Sequence, residues 1–210
     1  MNTMVLRAGA LASILFLARV VPVAAQNATV GAFGLGWGQG TITCTMCSSN
    51  GTYDGVTLRL SYGKTVNPHL RALFDYAEWS HLGTSGGGVT GSDWEKDTED
   101  FTASLEYFPW TVRHGFFLEG GLGLTVAKVW VTDTTGLRRH GWGVKAGIGY
   151  DLFPTHSISV APTLAFSYGS IGSIYYPLGS STLWAAGWKH EVVSAGLDVA
   201  FHKQTKGSRP

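Results

Sequence analysis

Apolar and polar positions alternate along most of the chain. In Val56–Tyr62 the apolar set Val56, Leu58, Leu60 and Tyr62 is separated by Thr57, Arg59 and Ser61, so an extended strand would carry one greasy and one polar face. The same period of two runs through Leu70, Ala72, Phe74 and Tyr76, and through Phe101, Ala103, Leu105 and Tyr107. It continues in Phe116–Val126, Trp142–Tyr150, Ile158–Tyr168 and Val193–Phe201, while Phe33, Leu35 and Trp37 alternate with Ala32, Gly34 and Gly36 near the start. These segments predict eight strands, and no helical apolar stripe competes with them after residue 25.

Links of two lengths join the segments. Gly63 to Pro68, Phe108 to His114 and Phe153 to His156 are short and hold the Pro or Gly of tight turns. Gly38 to Gly55, Ser80 to Asp97, Trp130 to His140 and Gly169 to Gly187 are longer and rich in Gly, Ser, Thr and Asp. Such alternation predicts an all-β, eight-stranded antiparallel up-and-down barrel with turns at one end and surface loops at the other, the asymmetry of outer-membrane barrels.

Periodicity alone leaves open which way the greasy face points. A soluble lipocalin-like carrier of equal strand count turns its apolar face inward. Residue size separates the cases. The polar face is dominated by Gly, Ala, Ser and Thr with a few charges, as a crowded narrow lumen requires, whereas a water-facing wall would be dense in Lys and Glu. The bulky face therefore reads as lipid-facing, and by the same phase Gly123 faces a polar interior with room for a small oxygen. Aromatics gather at the segment ends, with Tyr62, Tyr107, Phe108, Trp110, Phe116, Tyr150 and Phe153 beside the short links. Trp37, Trp79, Trp130, Trp142, Trp184 and Trp188 lie beside the long ones, so the two groups predict belts at two bilayer interfaces.

Composition excludes several classes. Charged residues make up 14% and hydrophobic ones 44%, which excludes disorder and is far from the roughly 25% charge of a soluble domain. A formal charge of +1 with no Lys/Arg run leaves no electrostatic footprint for nucleic acid. Residues 1–25 read as a secretory signal: Arg7 precedes an apolar stretch from Ala8 to Leu17, and Val23-Ala24-Ala25 offers a cleavage site. Arg19 and Pro22 leave too short a stretch for a spanning helix. The expected organisation is a signal peptide over 1–25, the barrel over 26–201 and a short tail over 202–210.

The inward phase collects three cations, Arg59, Arg71 and Lys145, against three carboxylates, Asp75, Glu106 and Glu119. In a narrow lumen such charges must pair to offset desolvation. Because eight strands enclose a space just wide enough for side chains, a structural network that plugs the barrel is favoured over a gated pore or proton path. Arg59 and Glu119 fall at similar depth and are expected in one network. Cys44 and Cys47, in an exported protein, read as a small loop disulfide or an ordinary loop pair rather than a catalytic site. A thioredoxin-like site would need a helix after the first Cys, and zinc would need two further ligands at metal spacing. His190, Glu191 and Ser194 are the one compact Ser/His/acid grouping, but alternation puts His190 and Ser194 on one face and Glu191 on the other, which does not suit a relay. Gly34 to Gly40 lacks dinucleotide-fingerprint spacing and reads as a crowded strand. No catalytic, cofactor-binding or metal-binding residue is expected.

Several motifs carry a resemblance. They are Cys44-Thr-Met-Cys47, the Glu106–Pro109 turn Glu-Tyr-Phe-Pro, Gly-Phe-Phe-Leu-x-Gly-Gly-x-Gly at 115–123, Gly-Trp-Gly-x-x-x-Gly-x-Gly-Tyr-Asp at 141–151, and the final Phe201-His202. With these the chain resembles the small outer-membrane β-barrel proteins of diderm, Gram-negative bacteria, the OmpA/OmpX-like superfamily and its uncharacterised single-domain barrels. That resemblance implies a monomer in the cell outer membrane, in contact with outer-membrane lipid and lipopolysaccharide, and recognised by the barrel assembly machinery through the terminal aromatic, here Phe201. Residues 202–210 follow that aromatic, where family members usually end at or just after it. Such barrels include structural anchors, adhesion and resistance factors and a few lipid-modifying enzymes. The expectation for this chain is a non-enzymatic barrel with a structural or loop-mediated role and no permanently open pore. A lipid-modifying barrel enzyme and a soluble carrier are the rivals.

Overall fold

The computed structural model describes residues 28–45, 50–81, 96–110, 112, 115–132, 135–152, 157–175 and 183–203. Eight antiparallel strands follow one another around a closed barrel: β1 (Thr29–Thr43), β2 (Gly51–Asn67), β3 (Leu70–Ser80), β4 (Lys96–Tyr107), β5 (Gly115–Thr132), β6 (Thr135–Asp151), β7 (Ile158–Tyr175) and β8 (Leu183–Lys203). Pairing of β1 with β8, from Thr29↔Lys203 to Thr43↔Lys189, closes the ring. Closure matters because it leaves no row of unpaired N–H and C=O groups to face hydrocarbon.

Side-chain exposure decides the phase. Leu122 is 71% exposed, Tyr62 67% and Leu124 58%, and Leu35, Leu60, Phe74, Leu164, Phe166 and Leu197 stand on the same outer wall. The interior face holds Arg71, Asp75, Glu106, Glu119 and Lys145, each buried. A soluble carrier would have the reverse arrangement. This wall suits a bilayer, and its aromatic pairs mark two levels: Trp110 against Phe116 at the inner end, with centroids 6.5 Å apart, and Trp142 against Tyr168 at the outer end, 5.6 Å apart.

Three expectations need correction. First, the links do not divide into short inner and long outer sets: the inner links are 68–69, 108–114 and 152–157, and the outer ones 44–50, 81–95, 133–134 and 176–182. Most of Gly38–Gly55, Trp130–His140 and Gly169–Gly187 is strand, as are Gly63 to Asn67. A backbone ladder needs no apolar side chain to continue, so strands run beyond the greasy band into sequence that no longer alternates. Second, Phe108, Trp79 and Trp188 point into the barrel and are buried, not in interfacial belts. Phe153 and the side chains of Trp130 and Trp184 lie outside the described residues. Third, Gly123 has no room for a side chain, since a Cβ there would clash with the Phe101 carbonyl oxygen and meet the Thr102 Cα at 2.8 Å. Strand-to-strand approach, not a spacious lumen, requires that glycine. The proposed signal at 1–25 and the tail beyond Lys203 lie outside the described residues, and β8 itself runs two residues past Phe201.

Candidate functional site

Side chains fill the barrel interior in layers. At the inner end Phe108, Val112, Phe117 and Ala161 form an apolar plug, with the rings of Phe108 and Phe117 5.4 Å apart. The 108–114 link is pinned beneath the wall because the N–H groups of Phe108 and Val112 donate to the carbonyls of His69 (2.9 Å) and Pro68 (2.7 Å). Above this plug Arg71 spreads its guanidinium over the Phe108 ring, 4.9 Å from its centroid. It donates to Glu106 at 2.7 Å and to Asp151 at 3.2 Å.

Arg59 organises the next layer. Its Nη1 donates to Asp198 at 2.9 Å, and its Nη2 to Glu119 at 2.6 Å and Asp75 at 3.2 Å. Lys145 approaches Glu119 at 2.7 Å and Asp75 at 3.5 Å, and Ser61 donates to Asp75. Glu106 and Glu119 are direct cross-strand partners, a repulsive placement that Arg59, Arg71 and Lys145 offset from three other strands. All six interior charges singled out from the sequence thus meet in one network. Asp151 and Asp198 also belong to it, so three cations face five carboxylates. Both obey the period, Asp198 continuing the Ser194, Gly196 face and Asp151 the Gly147, Gly149 face, and the alternation alone was enough to include them.

Between this layer and the outer end lies a cavity of about 60 Å³ lined by Thr57, Arg59, Trp79, Asp100, Ser194 and Asp198 among others. That is room for a few waters and no larger solute. Further out, His190 Nε2 stands 3.6 Å from Asp100 and 3.4 Å from the Thr125 hydroxyl. The outermost described layer is apolar: Ile42, Cys44, Trp79, Ala127, Ile171, Trp188 and Val192. Thr45 N–H donates to the Ala186 carbonyl at 2.8 Å, tying the first outer link to β8. Asn50 braces that link by accepting from Cys44 N–H (2.7 Å) and donating to its carbonyl (3.1 Å). Cys44 is disulfide-bonded, while Cys47 lies outside the described residues.

The His190, Glu191, Ser194 grouping does not converge. His190 is buried inside, Ser194 lies on the same inner face two pleat repeats deeper, and Glu191 is exposed on the outer wall. Asp100 and Thr125 both approach the same imidazole nitrogen, so they do not form a nucleophile–base–acid chain either. Among the described residues no group of three or more His, Cys, Asp and Glu has the arrangement of a metal site.

No family model and no curated protein sequence matches the chain. Solved structures do. Neisserial surface protein A aligns with a TM-score of 0.53 at 18% identity, over 82% of this chain and 96% of that one. The outer membrane protein AlkL, determined in lipid bilayers, aligns at 0.50 and 14% identity, over 92% of this chain and 97% of that one. The fold is that of the small outer-membrane β-barrels. Within such a barrel the layered interior occupies the position where barrels of more strands hold a channel.

Proposed function

We propose that this chain is a non-enzymatic protein of the cell outer membrane that acts as a structural element and as a display platform for its outer links, without a permanently open pore. The carrying observation is the interior: an apolar layer at each end, with Arg59, Arg71, Lys145 and their five carboxylates between. A transport path would need a continuous polar route, and a cavity of about 60 Å³ is too small to admit a solute. The exposed apolar wall supports the membrane location, and closure by β1 and β8 supports a monomer because no strand edge remains at that seam for a second copy. Phe201, exposed on the outer wall of the last strand, is the residue proposed to engage the barrel assembly machinery.

Conductance tests the reading. The refolded full chain in a planar bilayer should give no steady ohmic current at neutral pH. Replacing Trp188 and Phe117, one large side chain from each apolar layer, by Ala should introduce current or noise. A steady current through the unmodified protein would overturn the plugged interior.

A further inference from the structure

The outer wall carries a site that the plugged interior does not explain. At its inner end a groove of about 390 Å³ runs across β8, β1, β2 and β3, lined by Gly31, Phe33, Leu60, Tyr62, Phe74 and Phe201 among others. Gly31 makes the notch: its register partners are Tyr62 on one side and Phe201 on the other, and a Cβ placed on it would meet no atom within 4 Å. Bulky neighbours around a missing side chain leave a trough open to the hydrocarbon.

One row nearer the inner end, Thr29 is paired with Lys64 on β2 and with Lys203 on β8. Both lysines are exposed, and both point outward by the same alternation that turns Tyr62 and Phe201 outward. Strands lie about 4.8 Å apart, so the two lysine Cα atoms flank Thr29 at roughly 10 Å, and their long stems can converge on one group from both sides. Among the described residues neither lysine has an ion pair, and no Asp or Glu shares this end of the outer wall of these four strands. Two unneutralised cations therefore sit at the inner interface directly below an apolar trough.

We propose that Lys64, Thr29 and Lys203 with the Gly31 groove bind one anionic glycerophospholipid of the inner leaflet, its phosphate held between the two lysines and an acyl chain lying in the notch. The occupant follows from chemistry. The trough opens on the apolar outer wall and the charges at its mouth are both positive, so a phospholipid with net negative charge fits where a zwitterionic one would bring its own cation. Thr29 adds a hydroxyl donor between the lysines.

The test uses the full refolded barrel in phosphatidylcholine nanodiscs containing a minor fraction of phosphatidylglycerol, followed by native mass spectrometry of the lipid retained after gentle release. The unmodified protein should retain one phosphatidylglycerol in preference to phosphatidylcholine. A lysine near an anionic lipid surface is worth about fivefold, so Lys64→Gln with Lys203→Gln should reduce that preference about thirtyfold. Gly31→Leu should fill the notch and reduce retention severalfold. Gly120→Leu, at another outward glycine with nothing within 4 Å, should leave it unchanged. The lysine variants are exposed substitutions, and SDS gel mobility before heating verifies that each barrel is folded. Equal retention of the two lipids by the unmodified protein, undiminished preference in the double-lysine variant, or equal losses for Gly31→Leu and Gly120→Leu would each overturn the site, whatever the conductance of the barrel.

Discussion

Replacing Arg59 by Met should destabilise the folded barrel by about 3–5 kcal/mol, the range for removing one partner of a buried ion pair. The magnitude follows from what Arg59 holds. It contacts Glu119 at 2.6 Å, Asp198 at 2.9 Å and Asp75 at 3.2 Å, and with it gone Lys145 is, among the described residues, the one remaining cation within 4 Å of Glu119 and Asp75. Methionine keeps most of the stem volume, so the loss is charge and hydrogen bonding rather than packing. Glu119→Gln should cost less, about 1–3 kcal/mol, because Arg59 keeps Asp75, Asp198 and the more distant Glu106, and Lys145 keeps Asp75. The double variant removes a charge of each sign and should cost about 1–3 kcal/mol less than the sum of the singles. Urea titration of folding into lipid vesicles, followed by tryptophan fluorescence, measures all three. Additivity within about 0.5 kcal/mol would mean that the 2.6 Å contact carries no coupling, and would refute the network as a unit.

Leu122→Arg should cost roughly 2–4 kcal/mol in vesicles, since it holds a guanidinium in hydrocarbon near the middle of the wall; a neutral effect would place Leu122 outside the bilayer. Gly123→Ser, one residue away, should cost about 1–3 kcal/mol through overpacking against the Phe101 carbonyl, measured by the same titration, and a harmless serine would show that β4 and β5 separate easily. The intact barrel should migrate differently in SDS gels before and after boiling. Identical mobility together with recovery in a soluble fraction would favour an inward-facing apolar core.

Much of the architecture is written in the period of two. Alternation in Leu58–Tyr62, Phe101–Tyr107 and Val193–Phe201, with small residues opposite bulky ones, determines strand type, strand number and the outward phase, because a pleated strand has only two faces and lipid tolerates only one kind. It also places Arg59, Arg71, Asp75, Glu106, Glu119 and Lys145 inside. Strand ends are another matter: β1, β5, β6 and β7 run well past the greasy band, where hydrogen bonding to a neighbour sustains the strand and no apolar pattern reports it. Register is also a property of the closed ring. Only pairing sets Glu106 opposite Glu119, brings Asp198 to Arg59 across the β1–β8 seam, and lines up Lys64, Thr29 and Lys203 beneath Gly31. Trp79, Trp188 and Phe108 show the same limit. An aromatic at a strand end has equal local reason to enter an interfacial belt or to cap the lumen; the parity set by the neighbouring ladder turned these three inward, and for Trp79 the bare backbones of Gly40 and Gly55 left the space.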